Sequence, residues 1–522
     1  MSRSVLGREA SEASRSLRRS WVVVALVFFA LLMSAPSGFS AAPILEHFHP
    51  PGLAAGSTNS VRVIGKFDPW PPQVWVDAPG ITFLAQTNKG EFVVTVDPDA
   101  AVGARLVRLF NGEGASEPGI LVIGGAGESM EIEPNDHFSK AQPITTLPQT
   151  SNGRLDKAGD VDSYRVTLKA GEELVAHIDS IVLMSRLDAV LRLVDTNGLQ
   201  LAWNHDFATL DPRITWRAPI DQTVVVQVFG FAYPATADVR LTGGDGAVYR
   251  LRCELAGQPA GATNHLELSA TPAPLVELPV VIREAIRKPG EIDRVRLRLK
   301  KDEWIAAAVD AESIGSLLDA WLRLDDREGK QIVRNDDANE SRDPALEWRA
   351  PADDEYAIAL GSLTRQAGEE YFYALSIAEV QPDFKASAAV SSLAIKPGST
   401  NDLKVTVTRL RGFTNGLELA VKELPAGLRC DPVPVPEKGG EVKLALITPA
   451  DAPAHQRGIS LRVRDLVTQR DRAVPFMLTG SSSNNGVPGG YRALLVDRTE
   501  VLWLTVLPVE KPVSPPATAA GK

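Results

Sequence analysis

Two cysteines in 522 residues exclude a disulfide-stapled scaffold and a cysteine-based zinc module. Positive charge is also short. Lys and Arg number 55 against 65 Asp and Glu, a formal net charge of −10, so the chain lacks the basic footprint that a nucleic-acid partner needs. Catalytic signatures are missing as well. There is no G-x-S-x-G elbow, no H-E-x-x-H pair, no P-loop and no G-x-G-x-x-G after a strand. The seven histidines sit outside any Ser/His/Asp or Cys/His setting. The expectation is a protein that is not an enzyme. The balance of 44% hydrophobic and 23% charged residues is that of a globular chain, and 41 glycines with 37 prolines suit a turn-rich, strand-rich one.

Long apolar runs are absent apart from Trp21 to Met33, thirteen residues against the ~20 a spanning helix requires. Five arginines and two glutamates precede this run, and Pro36, Ser37 and Gly38 end it. Small residues then allow cleavage after Ser40 or Ala42. Residues 1–42 therefore have the form of a signal peptide, with an uncleaved anchor as the alternative. The expected location is secreted, periplasmic or at the cell surface, with no permanent membrane span once the signal is removed. Cys253 and Cys430 could pair in such a compartment, but two unpaired buried thiols fit their separation better.

The remainder alternates like strands. Ser60 to Gly65, Gln73 to Val76, Glu91 to Val96 and Leu106 to Asn111 are period-two runs separated by Gly, Pro and Asp, which suits an immunoglobulin-like sandwich over 43–126. Two further segments are copies of one another. Ser185 to Leu193 (SRLDAVLRL) returns as Ser316 to Leu324 (SLLDAWLRL), 131 residues later. Asp160-Val161-Asp162 falls on Glu291-Ile292-Asp293, and Asn204 and Asp206 fall on Asn335 and Asp337, at the same offset. Trp216 to Pro219 (WRAP) returns at 348–351, one insertion later. The duplication predicts two β-sandwiches, over 128–256 and 262–381. Clean alternation at Leu403 to Arg409 and Val442 to Leu446, with a closing Leu502 to Val506, predicts a fourth β-sandwich, immunoglobulin-like, over 385–510. Its polar stretch 481–490 is expected to be a mobile loop, and 511–522 a disordered tail. The fold class expected is all-β, a tandem of immunoglobulin-like and jelly-roll-like sandwiches.

Three motifs in order carry a family resemblance. They are Glu131-Ile132-Glu133-Pro134-Asn135-Asp136, then Gly159-Asp160-Val161-Asp162-Ser163-Tyr164, then Leu187 to Gly198 with its L-D-x-x-L-x-L pattern. Residues 128–255 thereby resemble the bacterial pre-peptidase C-terminal domain. The second copy resembles it from the Glu-x-Asp strand onward and lacks the E-P-N-D opening. The first segment resembles an IPT/TIG module. The resemblance implies non-catalytic sandwiches that accompany secreted peptidases, and relatives in clostridial collagenases bind collagen and use calcium at the opening segment. It implies Ca2+ ligands at Glu131, Glu133, Asn135, Asp136, Asp160 and Asp162.

The residue chemistry agrees with that implication. Calcium takes six to eight hard oxygens. Glu131 and Glu133 share a face of an extended segment, as do Asp160 and Asp162, and two such acid pairs brought together repel unless a cation lies between them. The alternative is a solvated turn. The second copy has Arg283, Arg287 and Lys288 ahead of Glu291, and no cation site is expected there.

Other landmarks have structural readings. Asp188 and Asp319 are expected to be buried carboxylates that fix a turn, and Trp216 and Trp348 core or edge packing. His47 and His49 share a face with Glu46 opposite, which leaves them solvated rather than metal-bound. The functional expectation is a module array that binds extracellular protein or polysaccharide. The alternatives are a structural spacer and, more remotely, a peptidase-associated or cryptic hydrolase. Exposure of Trp70, Trp75, Trp203, Trp304 and Trp321 discriminates the first two.

Overall fold

In a computed structural model, the described residues are 41–509 except 208–209, 234, 238–239, 257–267, 270, 339–340, 479–493 and 497. Of the segments expected from the sequence, residues 1–40 of the expected signal peptide, the stretch 481–490 and residues 511–522 lie outside them. The protein is all-β: strands and three short 3-10 turns make up its regular structure, and no α-helix occurs among the described residues.

The sheets pair into tandem sandwiches. The first module packs Ile44–His49, Thr58–Lys66, Glu91–Val96 and Ile81–Ala85 against Gly52–Ala54, Gly119–Gly124, Gly103–Asn111 and Gln73–Val76. Its core holds Phe48, Val61, Phe92, Val94, Leu109 and Leu121. The fourth module closes around Leu403, Leu444, Leu461 and Leu504.

The duplicated modules share one strand order. In the second, one sheet runs Glu128–Met130, Gln149–Arg154, Val248–Leu255, Glu173–Asp179, Arg213–Arg217, and its partner runs Gln142–Ile144, Asp162–Leu168, Gln222–Ala232, Leu187–Asp195, Gln200–Asn204. The third repeats both orders from the second strand onward. It has Val280–Ala285, Phe372–Val380, Trp304–Asp310, Ala345–Arg349 opposite Ile292–Leu299, Asp354–Ser362, Ala320–Asp325, Gln331–Asn335. The two strands without a counterpart among the described residues, Glu128–Met130 and Gln142–Ile144, each run parallel to a neighbour at a sheet edge. A single parallel bridge, Leu275 to Arg296, stands where the third module would carry the second of them.

A buried tie joins the sheets at the same place in both copies. Tyr249 donates its hydroxyl to Asp162 Oδ2 at 2.6 Å, and Tyr373 donates to Asp293 Oδ2 at 2.6 Å. A second shared device is an aspartate ahead of proline. Asp211 accepts N–H bonds from Ile181 and Val182, and Asp343 accepts them from Ala311, Glu312 and Ser313. Each satisfies the free amides at the start of a 3-10 turn. The turn-fixing carboxylates are therefore Asp211 and Asp343, not Asp188 and Asp319. The latter two are half-buried, and Asp188 is bonded to His205 at 3.2 Å. Trp216 and Trp348 pack on the two cores as expected.

Two strands are buried on both faces, and they mark where modules meet. In Leu502–Val506 the residues Leu502, Leu504 and Val506 fill the fourth core, while Trp503 points outward onto Trp75 and Phe110 of the first module, ring centres 5.5 and 5.1 Å away. In Gly119–Gly124, Leu121 and Ile123 face the first core. Ile120 and Val122 instead join Leu183, Leu478 and Val496 in a cluster drawn from the first, second and fourth modules. Between the first and fourth modules the buried Arg108 guanidinium donates to Ser116 O at 2.5 Å and to Ser391 O and Oγ, each at 3.2 Å. The fourth module thus folds back onto the first.

Trp503→Ala removes that apolar contact. The expected loss is about 3–5 kcal/mol of stability by urea denaturation, with Trp75 becoming accessible to quencher. A loss below about 1 kcal/mol contradicts the docking.

Candidate metal site at the opening of the second module

Strand placement creates the site. Glu128–Met130 belongs to one sheet and Gln142–Ile144 to the other, so the chain between them must cross the end of the sandwich. Gln142 pins this crossing: its Oε1 accepts the Ile132 N–H at 2.8 Å and its Nε2 donates to Met130 O at 2.9 Å. The crossing lies over the start of Asp162–Leu168, which brings Asp160 and Asp162 beneath it.

All six expected residues are in or beside one cluster. Ligand oxygens of Glu131, Glu133 and Asp162 lie within 4.8 Å of one another, and so do those of Glu133, Asp136 and Asp160. Glu133 belongs to both groups. Glu131 and Glu133 share a face, with Ile132 pointing to solvent between them, as period-two spacing requires. Asn135 is 0% exposed, and its Nδ2 donates to Glu131 Oε1 at 3.2 Å. Asp160 and Asp162 are 1% and 0% exposed.

The polar inventory is uneven. Glu131 is well placed: its Oε2 accepts the Arg154 N–H at 2.9 Å, and its Oε1 lies 3.2 Å from the Tyr249 hydroxyl, whose proton goes to Asp162. Asp160 Oδ2 accepts the Asp156 N–H at 2.6 Å, and Asn135 N–H donates to Glu133 Oε2 at 2.8 Å. By contrast Asn135 Oδ1, Asp160 Oδ1 and Asp162 Oδ1 are buried without a hydrogen-bond partner. Three buried, unpartnered oxygens among crowded carboxylates cost stability unless a cation or protons compensate them. The cation at hand is Lys157, whose exposed amine is 3.6 Å from Asp136 and 4.0 Å from Asp160.

The titration behaviour expresses the same crowding. Burial, then the Glu131 charge, pushes the Asp162 carboxyl far above the usual carboxylate range. Burial, then the Asp136 carboxyl beside it, raises Asp160 to about 6. Asp136 is lowered, chiefly by its neighbour Asp160, and Glu133 is raised, chiefly by burial. A set of oxygens that resists holding its full negative charge, with carbonyl and carboxylate donors only, fits a hard cation such as calcium.

Among the described residues, the third module keeps the scaffold without the cluster. Glu291, in the place of Asp160, spends Oε2 on the N–H groups of Arg287 and Lys288 at 2.7 and 2.8 Å. The Arg287 guanidinium is paired with Glu284 at 2.7 Å. Asp293 keeps its tyrosine, with its carboxyl raised by burial to about 6. At the 131-residue offset Arg283, Arg287 and Lys288 fall on Asn152, Asp156 and Lys157 of the second module.

Other groups do not form comparable sites. Asp188, His205 and Asp206 come together, but the imidazole lies between the carboxylates, 3.2 Å from Asp188 and 3.9 Å from Asp206, and the set satisfies itself. Sequence reasoning missed this trio; the signal was the shared 131-residue offset of Asp319 and Asp337. His137 Nδ1 meets Ser139 Oγ at 2.8 Å within a local 3-10 cap. His47 and His49 are not solvated as expected. A register shift between Leu45 and His47 turns His47 and Glu46 outward together, onto the second module.

Neutralising one buried carboxylate isolates the effect. Raised carboxyl pKa values mean that the cation-free native state binds more protons than the unfolded chain between the ordinary value and the raised one. The stability these groups contribute is therefore greatest in acid and falls as pH rises through about 6 for Asp160. Asp162→Asn should stabilise the chelated protein at pH 8 by about 1–3 kcal/mol and flatten this dependence, read as melting temperature against pH. A destabilised, equally pH-dependent variant contradicts the crowding.

No family model matches the chain. One curated protein, named “Probable subtilase-type serine protease” from Deinococcus radiodurans, is 35% identical over 114 residues, covering 21% of this chain. The chain spans only 16% of that relative's length. Among solved structures, the pre-peptidase C-terminal domain of collagenase from Bacillus anthracis aligns over 20% of this chain and 91% of its own, at 14% identity and a TM-score of 0.17. A Clostridium perfringens ZmpB structure with an M60 catalytic domain and two CBM51 domains aligns over 65% of this chain and 46% of its own, at 8% identity and a TM-score of 0.15.

Proposed function

We propose that the chain is an exported, non-catalytic, peptidase-associated accessory protein whose second module binds calcium at Glu131, Glu133, Asn135, Asp136, Asp160 and Asp162. The observation that carries this reading is the convergence of five carboxylates around the buried, unpartnered oxygens of Asn135, Asp160 and Asp162. When bound, calcium supplies compensation for that charge and fastens the crossing segment to the strand below. The chain's own part is to hold the oxygens in place, through Gln142, Tyr249 and the Arg154 amide. The partial identity to a subtilase-type protease supports the accessory setting.

Recognition of extracellular protein or polysaccharide is assigned to the outer face of the second module. Trp203 is 59% exposed there, opposite Arg192, whose guanidinium lies 5.1 Å from the Phe229 ring centre. Exposed aromatic surface of this kind is a usual anchor for such partners. The spacer reading has its own support: Trp70 is wedged between Phe67 and Phe92, Trp75 lies on Trp503, and Trp321 is stacked with Arg323 and Arg334. Binding therefore depends on Trp203.

Calorimetry on the chain from residue 43 should give calcium binding that Asp162→Asn abolishes, with millimolar calcium raising the melting temperature more at pH 8 than at pH 5. Absence of binding heat and of a melting shift overturns the metal assignment. Pull-down against envelope and extracellular polymers should lose its captured partner in Trp203→Ala while calcium binding persists. Equal capture by both proteins removes Trp203 as the anchor.

A further inference from the structure

The first and second modules are joined by Gly124-Gly125-Ala126-Gly127, and Gly127 adopts a φ of +99° that favours glycine. They also meet side on, through the outer face of Ile44–His49. Arg186 pairs with Glu46 at 2.7 Å and Arg62 with Asp245 at 3.4 Å across the contact, and Arg154 holds Asp245 from its own module at 2.9 Å.

Two histidines lie within this rim. His47 is 6% exposed, and neither of its ring nitrogens has a hydrogen-bond partner; Nδ1 of His49 has none either. His47 faces Arg186, with Glu46 on its own strand. His49 faces Arg62 and Arg154 as well as Asp156 and Asp245. Glu46, Glu117 and Arg186 share with His47 the wall of a cavity of about 900 Å³ between the first, second and fourth modules, which gives water a route to the ring.

We propose that this contact is an acid-released joint: neutral His47 and His49 keep Ile44–His49 seated on the second module, and protonation of both rings beside Arg186, Arg62 and Arg154 lets that strand part from it.

Burial first, then Arg186 for His47 and Arg154 for His49, hold both imidazoles at about 4 when docked, against an ordinary 6.5. The docked state thus binds fewer protons in that interval. Docking is complete above the ordinary value and weakens as pH falls toward the docked one. Each ring contributes up to about two orders of magnitude to the docking equilibrium by pH 4. The apolar contact of the first module with the fourth, through Trp75, Phe110 and Trp503, remains. The opening is therefore local, and its sense is opposite to the acid stabilisation of the second module's own core.

Hydroxyl-radical footprinting of the chain from residue 43 at pH 7.5 and 4.5 tests the joint. Met184 and Tyr233, which line the cavity, should be labelled several-fold faster at pH 4.5 and recover at pH 7.5, while the core residues Phe92 and Tyr164 stay protected. His47→Gln combined with His49→Gln should abolish the difference. If the pair does not fold, His49→Gln alone should reduce the steepness from two protons to one. Equal labelling at both pH values, or an unchanged response in the variants, overturns the proposal.

Discussion

A tyrosine hydroxyl bonded to a buried aspartate ties the two sheets together in both central modules, Tyr249 to Asp162 and Tyr373 to Asp293. An apolar interior accepts a carboxyl only when it is bonded or neutralised. This tie places one such group at the same end of each sandwich. Among the described residues of the third module, Asp293 and its tyrosine stand without an acidic crossing. In the second module Glu131, Glu133, Asn135, Asp136 and Asp160 are stacked over the same position. The acidic cluster is thus an elaboration of a structural bond that does not need it.

The elaboration depends on two short parallel edge strands, Glu128–Met130 and Gln142–Ile144. Because they belong to opposite sheets, the intervening chain must cross the sandwich end, and the acids travel with it. Among the described residues the third module has neither strand, keeping only the Leu275 bridge. It then uses Glu291 to cap the Arg287 and Lys288 amides.

The modules are also less independent than a string of beads. Leu502–Val506 and Gly119–Gly124 are buried on both faces because each lines its own core on one side and a neighbouring module on the other. Their continuous apolar runs, LWLTV and GILVIG, carried that signal in the sequence, since a strand with one wet face alternates. Arg108 shows the limit of such legibility. An arginine in an alternating strand suggests solvent, yet it is buried against Ser116 and Ser391, the latter 283 positions away in the chain.

The sequence by itself determined the all-β class, the duplication, and that Glu131 with Glu133 and Asp160 with Asp162 share a face, while the meeting of the two pairs was implied by the family resemblance alone. Those properties rest on local periodicity and on motif spacing, which side-chain alternation converts directly into faces. Tertiary structure alone decided that Asn135, Asp160 and Asp162 would each bury an unpartnered oxygen. It also decided that His47 would be buried and His49 half-buried against another module, and that Trp203 would stay exposed while Trp75 and Trp321 packed away. Burial is a property of what lies across a sheet face, and a single strand's pattern does not encode its neighbour.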